Sequence, residues 1–136
     1  MTEFIWPVRV YYEDTDSGGV VYYANYLKFM ERARTEYLRS FGFEQDKLKE
    51  TEKIIFAVRS VAIDYLKPAM FNNMLNVISR ISKCGRASLT FQQDIKREAD
   101  QELLCRAEIK IACLDSNTLR PIPIPEHIFT EIPCDN

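Results

Sequence analysis

The chain has 136 residues, of which 46% are hydrophobic and 28% are charged, and its formal net charge is -2. This length and balance predict one globular domain spanning residues 1–136. The slightly negative charge argues against a nucleic-acid partner. No apolar run is long enough to predict a membrane span, and the first ten residues lack the basic and apolar regions of a secretory signal.

The first half of the chain predicts a strand followed by a long helix. Val8 to Tyr12 is a short run rich in residues that favour strands. From Tyr23 to Phe41, apolar residues recur at steps of three and four, which indicates a helix with one apolar face. Gly42 is a typical stop signal for that helix. The polar segment 44–53 is predicted to form a short helix or a loop.

The second half of the chain predicts four strands joined by hairpin-like links. Apolar and polar residues alternate there with a period of two, which is typical of half-buried strands. Consecutive antiparallel strands beside one long helix predict an α+β layer whose open edge and face suit a partner subunit. The alternating runs cover residues 55–65, 75–81, 87–95 and 103–113.

The cysteines and the single histidine do not form a metal-binding pattern. No C-x-x-C pair occurs, and His127 lies in the C-terminal tail. Cys105 and Cys113 are eight positions apart in a strand-like run, so they face the same way. We therefore predict buried, reduced thiols, no metal site and a cytoplasmic location. The cysteines are Cys84, Cys105, Cys113 and Cys134.

The segment from Tyr11 to Tyr37 gathers the residues best suited to chemistry. A strand-like run ends in carboxylates, passes through Gly18 and Gly19, and enters the amphipathic helix. A helix start offers unpaired backbone N–H groups and a positive dipole end. A carboxylate such as Asp16 opposite that end supplies a base or nucleophile for acyl transfer, and the N–H groups supply an oxyanion pocket. Spacing alone favours the plainer interpretation of Asp16 as a loop aspartate that caps a turn.

Several motifs in this sequence resemble those of a known enzyme family. The specific ones are WPVRVYYEDTD, GGVVY, ANY and ERARTEYL; weaker ones are FAVRSVAIDYLKPA, KCGRASLTFQQ, AEIKIACLD and LRPIPIP. Together they cover Trp6 to Pro125 and resemble hotdog-fold acyl-CoA thioesterases of the 4-hydroxybenzoyl-CoA thioesterase family, closest to the YbgC-like, Tol-Pal-associated branch. The resemblance implies an α+β hotdog fold, in which an antiparallel five-stranded sheet wraps around one long helix. It also implies homodimers, often paired into homotetramers, with active sites across the dimer seam.

The resemblance further implies hydrolysis of an acyl-CoA thioester to free acid and CoA, without a metal or cofactor. It assigns Asp16 as general base or nucleophile and the Tyr23 backbone N–H as oxyanion donor, with Asp14 as the rival carboxylate. Thiolate is a good leaving group, so the lack of a histidine at the site is acceptable. Many relatives carry histidine at position 23, which leaves the role of the tyrosine side chain open. We expect Glu31 to support the site by positioning a water or anchoring the helix.

Substrate binding is predicted to use the loop, the helix start and a few cations. Gly18 and Gly19 either let substrate pass close to the backbone or serve only as turn residues. Asn25 either caps the helix or hydrogen-bonds near the site. Coenzyme A phosphates require cations, although each candidate also suits an ordinary surface charge, Lys67 included. The predicted binding residues are Gly19, Val21, Tyr22, Asn25, Arg59, Lys83 and Arg86.

Two other functions remain open at this stage. A hotdog dehydratase requires a histidine paired with a carboxylate, and His127 is badly placed for that role. A non-catalytic acyl-CoA or acyl-carrier-protein binding module of a lipid or cell-envelope complex predicts ligand binding without turnover. The sequence leaves open the acyl group and whether CoA or a carrier protein bears it.

Overall fold

The structure, a computed structural model, describes residues 3–135. Five antiparallel strands form a sheet in the order β1-β3-β4-β5-β2, so β1 and β2 are its edges. Helix α1 (Asn25–Ser40) packs on the sheet and a shorter helix, α2 (Gln45–Glu52), leads into β2. The remaining elements are β1 (Phe4–Arg9), a 3-10 turn (Tyr12–Asp14), β2 (Ile54–Tyr65), β3 (Met74–Cys84), β4 (Ser88–Arg97), β5 (Leu103–Asp115) and α3 (Glu126–Phe129).

The apolar stripe of α1 forms the centre of the core, as the helical spacing predicts. Phe29, Met30 and Ala33 are fully buried against the sheet. Tyr37 stacks on Phe4 of β1 at 4.9 Å between ring centroids and meets the edge of a β4 ring at 6.3 Å. Full burial of a side chain as large as Phe29 or Met30 contributes about 1.5–3 kcal/mol. The predicted hotdog arrangement, a sheet packed around one long helix, is confirmed.

Three local predictions are corrected or sharpened. The first strand is Phe4–Arg9 and not Val8 to Tyr12, because Tyr12 begins a 3-10 turn. Pro7 is tolerated inside this strand because β1 lies at the edge of the sheet. Helix α1 begins at Asn25, two residues after the apolar pattern starts, since Tyr23 lies in a turn. Gly42 has a φ of 90°, in keeping with its predicted role as a stop.

The C-terminal tail corrects the prediction of four reduced thiols. After Pro125 the chain packs back on the core through Ile128 and Ile132, and it forms a bridge to β3 at Ile81. This return brings Cys134 to Cys84, and the two form a disulfide across a sequence separation of 50. Cys105 and Cys113 are free and buried, as predicted, and burial raises their thiol pKa values to about 12 and about 11.

Candidate active site

Asp14 holds the loop that leads to α1 in place. Its side chain is only 8% exposed. One carboxylate oxygen accepts the Tyr11 backbone N–H at 2.8 Å, and the other accepts the Asn25 side-chain amide at 3.0 Å. The Asp14 carbonyl also accepts the Tyr22 N–H at 2.9 Å. Asp14 is therefore committed to the fold and is a poor rival to Asp16.

Asn25 ties the start of α1 to this loop and does not cap the helix. It is the first helical residue, it is buried, and the position before it is Ala24, which makes no side-chain cap. A capping role for Asn25 is thus wrong, because its amide is turned to Asp14. A direct contact of Asn25 with substrate stays a prediction.

We expect Asn25→Ala to loosen the loop more than the helix. The substitution removes the 3.0 Å bond and leaves one buried Asp14 oxygen without its partner, which costs about 1–3 kcal/mol. Urea unfolding of the purified variant measures this loss. As a matched control, exposed Thr51→Ala on α2 should change stability by less than about 0.5 kcal/mol. An Asn25→Ala variant as stable as the parent would contradict a role for this bond in holding the loop.

Asp16 presents its carboxylate at the surface of the same loop. Its Oδ1 accepts the Gly18 N–H at 2.8 Å, and its backbone N–H and carbonyl bond to Val20 and Gly19 at 2.9 and 3.0 Å. Within residues 3–135, no protein donor is bonded to Oδ2. The turn thus fixes the carboxylate in place while leaving one oxygen open to solvent or substrate.

Gly18 and Gly19 have different reasons to be glycine. A Cβ at Gly18 would lie 3.3 Å from Asp16 Oδ1 and would crowd the carboxylate. Gly19 has a φ of 81°, a conformation that disfavours side chains, and nothing lies within 4 Å of a Cβ built there. Both glycines serve the turn, and the space at Gly19 is also compatible with a ligand close to the backbone.

Tyr23 lies in the turn just before α1 and is 61% exposed. In the part of the chain that the structure describes, its backbone N–H has no hydrogen-bond acceptor. The centroid of its ring lies 4.8 Å from that of Tyr22 and 6.1 Å from that of Tyr65, the latter in an edge-to-face arrangement. The side chain therefore contacts both the loop and β2. A free N–H near the positive end of a helix dipole suits an oxyanion.

Val21 and Tyr26 clamp the loop to the segment between β2 and β3. The Val21 N–H donates to the Ala69 carbonyl at 2.9 Å, and the Ala69 N–H donates to the Tyr26 hydroxyl at 2.9 Å. Both side chains are buried, and burial raises the pKa of Tyr26 despite the opposing effect of the Ala69 N–H. Val21 thus contributes to the core, whereas the neighbouring Tyr22 is exposed beside Tyr23.

Glu31 lies almost two helical turns beyond the start of α1, in a groove between α1 and β2. Thr35 donates to its carboxylate at 3.2 Å. No hydrogen bond or ion pair joins Glu31 to the Asp16 loop among residues 3–135. Arg34 lines the same groove and was overlooked in the sequence, although a charged residue within the apolar stripe of a helix is an available signal.

The predicted phosphate-binding cations are not gathered at one place. Lys83 and Arg86 flank the β3–β4 turn, where Lys83 and Lys110 line a cavity of about 460 Å³. Arg59 is exposed at an irregularity of β2. Lys67 lies 3.7 Å from Glu102. The turn at 83–86 is therefore a better candidate for phosphate binding than Arg59 or Lys67.

Comparison with known proteins identifies the family. The model of the thioesterase-like superfamily matches residues 10–131. The chain belongs to this family. It is 45% identical over 130 residues to the acyl-CoA thioester hydrolase YbgC of Escherichia coli O157:H7, covering 96% of each chain. It is 44% identical over 125 residues to the acyl-CoA thioesterase YbgC of Haemophilus influenzae, covering 92% of this chain and 90% of that protein.

Solved structures of similar proteins agree with the fold. A probable thioesterase from Bartonella henselae is 36% identical, with a TM-score of 0.85 over 91% of this chain and all of that one. A 1,4-dihydroxy-2-naphthoyl-CoA thioesterase from Synechocystis shares the fold at a TM-score of 0.89 and 24% identity, covering 96% of each chain. The predicted YbgC-like, hotdog-fold resemblance is confirmed. None of the helices within residues 3–135 has the length and apolar character to cross a membrane.

Proposed function

We propose that this thioesterase-like protein hydrolyses acyl-CoA thioesters to the free acid and CoA. The observation that carries the proposal is that two groups in the segment 16–23, just before α1, have no protein hydrogen-bond partner among the described residues. They are the open Oδ2 of Asp16 and the Tyr23 N–H without a protein acceptor. The similarity to YbgC acyl-CoA thioesterases along nearly the whole chain supports the reaction class.

In the proposed mechanism, the Tyr23 N–H donates to the thioester carbonyl oxygen and polarises the carbonyl carbon. Asp16 either removes a proton from an attacking water or attacks the carbon itself. The negative charge that develops on the oxygen is held by the N–H and by the helix dipole. When the carbonyl re-forms, the C–S bond breaks and CoA leaves as the thiolate. If Asp16 is the nucleophile, water then cleaves the resulting anhydride.

We propose that the working unit is a homodimer or a dimer of such dimers. Edge strand β2 exposes Val58, Val61 and Tyr65, and an exposed apolar edge is suited to pairing with a second copy. Tyr65 also touches Tyr23, so such pairing would lie close to the candidate site. We further propose a cytoplasmic location, no cofactor, and association with the cell-envelope Tol-Pal system. The Cys84–Cys134 disulfide removes the support that reduced thiols gave to this location.

The test is thiol release from acyl-CoAs of graded chain length and from benzoyl-CoA. We expect kcat/KM on the order of 10⁴ M⁻¹s⁻¹ or more for the preferred substrate. Binding of the same acyl-CoAs is measured by calorimetry in parallel. Binding without any turnover would contradict the proposal and favour a binding module. A carrier-protein thioester, assayed alongside, decides whether CoA is the preferred carrier.

A further inference from the structure

Residues 68–73 lie between β2 and β3 and form what we call the support segment, because the loop that leads to α1 is bonded to them. The Val21 N–H donates to the Ala69 carbonyl at 2.9 Å. The Phe71 N–H donates to the Gly19 carbonyl at 3.4 Å. The support segment therefore holds this loop on both sides of its centre.

Short chains of bonds connect the support segment to both candidate groups. Val20 forms a bridge with Met70 of the support segment, and the Val20 carbonyl accepts the Asp16 N–H at 2.9 Å. On the other side, the Tyr26 hydroxyl accepts an N–H of the support segment at 2.9 Å, three positions after Tyr23. A shift of the support segment would therefore displace the carboxylate and the candidate oxyanion donor together.

Arg97, the last residue of β4, fixes the support segment at both of its ends. Its Nη2 donates to the Pro68 carbonyl at 2.9 Å, and its Nε donates to the Asn73 side-chain oxygen at 3.2 Å. Its Nη1 donates to Asp100 at 2.8 Å, which anchors the guanidinium to the turn between β4 and β5. The planar fork of a guanidinium holds three acceptors at set angles, and the ammonium of a lysine does not reproduce this arrangement.

Asn73 passes the hold of Arg97 to the backbone of the support segment. Its side-chain oxygen also accepts the Met70 N–H at 2.8 Å, so one atom receives donors from the support segment and from β4. Its backbone carbonyl accepts the Val10 N–H at 2.9 Å, just after β1. Because the oxygen only accepts, an aspartate at this position would make the same two bonds.

We propose that Arg97 is a positioning residue for thioester hydrolysis, which it serves by fixing the support segment behind Asp16 and Tyr23. The proposal rests on the proposed function. The effect of Arg97 passes through hydrogen-bonded backbone, and a displacement of about 1 Å at a reacting group costs up to about 10²-fold in rate. The contacts that bind the rest of the acyl-CoA are unchanged by such a displacement. Loss of Arg97 therefore lowers kcat and leaves KM nearly constant.

The experiment measures kcat and KM for the preferred acyl-CoA in three arginine variants. We expect Arg97→Met to lower kcat by about 10–100-fold and to change KM by less than about threefold. Arg97→Lys should retain part of kcat, because an ammonium can still bond to one end of the support segment. The control is Arg106→Met, which removes an exposed pair with Asp94 and should leave both constants within about twofold.

Variants of Asn73 test the same contact from the support segment. Asn73→Ala should lower kcat, and the double variant Arg97→Met/Asn73→Ala should lose about as much as Arg97→Met alone, because both changes break one contact. Asn73→Asp keeps the accepting oxygen and should stay within about threefold of the parent kcat.

Hydrogen exchange of backbone amides supplies a readout that does not depend on catalysis. We expect Arg97→Met to speed exchange at the amides of Asp16, Val21 and Ala69 by about tenfold or more. The amides of the strands β4 and β5 should keep the protection that they have in wild type.

Three results would overturn the proposal: an unchanged kcat in folded Arg97→Met, a rise in KM alone, or an equal loss of amide protection in all strands. The last would assign Arg97 to global stability. If Arg97→Met does not fold, Arg97→Lys and the Asn73 variants supply the same tests. No turnover of any acyl-CoA by wild type would refute thioester hydrolysis, and the positioning role with it. Wild-type turnover with an unaffected Arg97→Met would refute the positioning role alone.

Discussion

Replacing Asp16 with asparagine is expected to lower kcat/KM for thioester hydrolysis by roughly 10²–10⁴-fold without unfolding the protein. Asparagine has the same shape, and its side-chain oxygen still accepts the Gly18 N–H that now bonds to Oδ1 at 2.8 Å. What it loses is the negative charge that removes a proton from water or attacks the carbonyl carbon. Asp16→Ala should show a similar loss, with some added mobility of the turn. Thiol release and thermal unfolding are measured on both variants.

The control for this experiment is Glu13→Gln, an exposed carboxylate on the preceding 3-10 turn. It removes the same charge three residues away and should keep kcat/KM within about twofold. Asp14→Asn is a second comparison, which should reduce stability because its carboxylate is bonded on both oxygens. If Asp16→Asn retained full turnover, Asp16 would be removed from the mechanism and Glu31 would become the leading carboxylate.

Breaking the Cys84–Cys134 disulfide is expected to lower the free energy of unfolding by about 2–4 kcal/mol. The bond closes a loop across 50 positions, so its loss enlarges the conformational freedom of the unfolded chain. The double variant Cys84→Ser/Cys134→Ser should show this loss in urea unfolding. Wild type treated with a reductant should fall to the same value.

The double variant is its own control, because a reductant should have no further effect on it. Titration of free thiols in urea supplies an independent readout: two per chain without reductant and four with it, given the free Cys105 and Cys113. Four thiols in untreated protein, together with stability that does not respond to reductant, would show that the two sulfurs are not bonded. The tail would then be held by noncovalent contacts, among them the burial of Ile128 and Ile132 and the bridge to β3 at Ile81.

The sheet and the helix were predictable because their signals are local. The stripe from Tyr26 to Tyr37 repeats with the helical period, and β3, β4 and β5 alternate in burial over much of their length. The first strand was placed too late because Tyr11 and Tyr12 have high strand propensity. In the structure these residues belong to the turn after the strand, since the Tyr11 N–H donates to the Asp14 side chain.

The candidate site was predictable only in part, because its remaining features depend on long-range contacts. The acidic, glycine-containing loop before a helix could be read directly, and Asp16 stays its best candidate. Sequence spacing did not distinguish Asp14 from Asp16; the Asn25 amide, eleven positions away from Asp14, makes that distinction. The buried state of Arg34 depends on Gln93, 59 positions along the chain. The pairing of Cys84 with Cys134 likewise requires the return of the tail.

The double clamp of Val21 and Tyr26 on Ala69 has a consequence for the activation barrier. In water, solvent dipoles must rotate as charge moves onto the carbonyl oxygen of a reacting thioester. In the proposed mechanism the oxyanion donor is the Tyr23 N–H, which belongs to a backbone segment whose orientation was set when the chain folded. The reorganisation free energy of that dipole is therefore supplied by the folding reaction once, and not by each catalytic cycle.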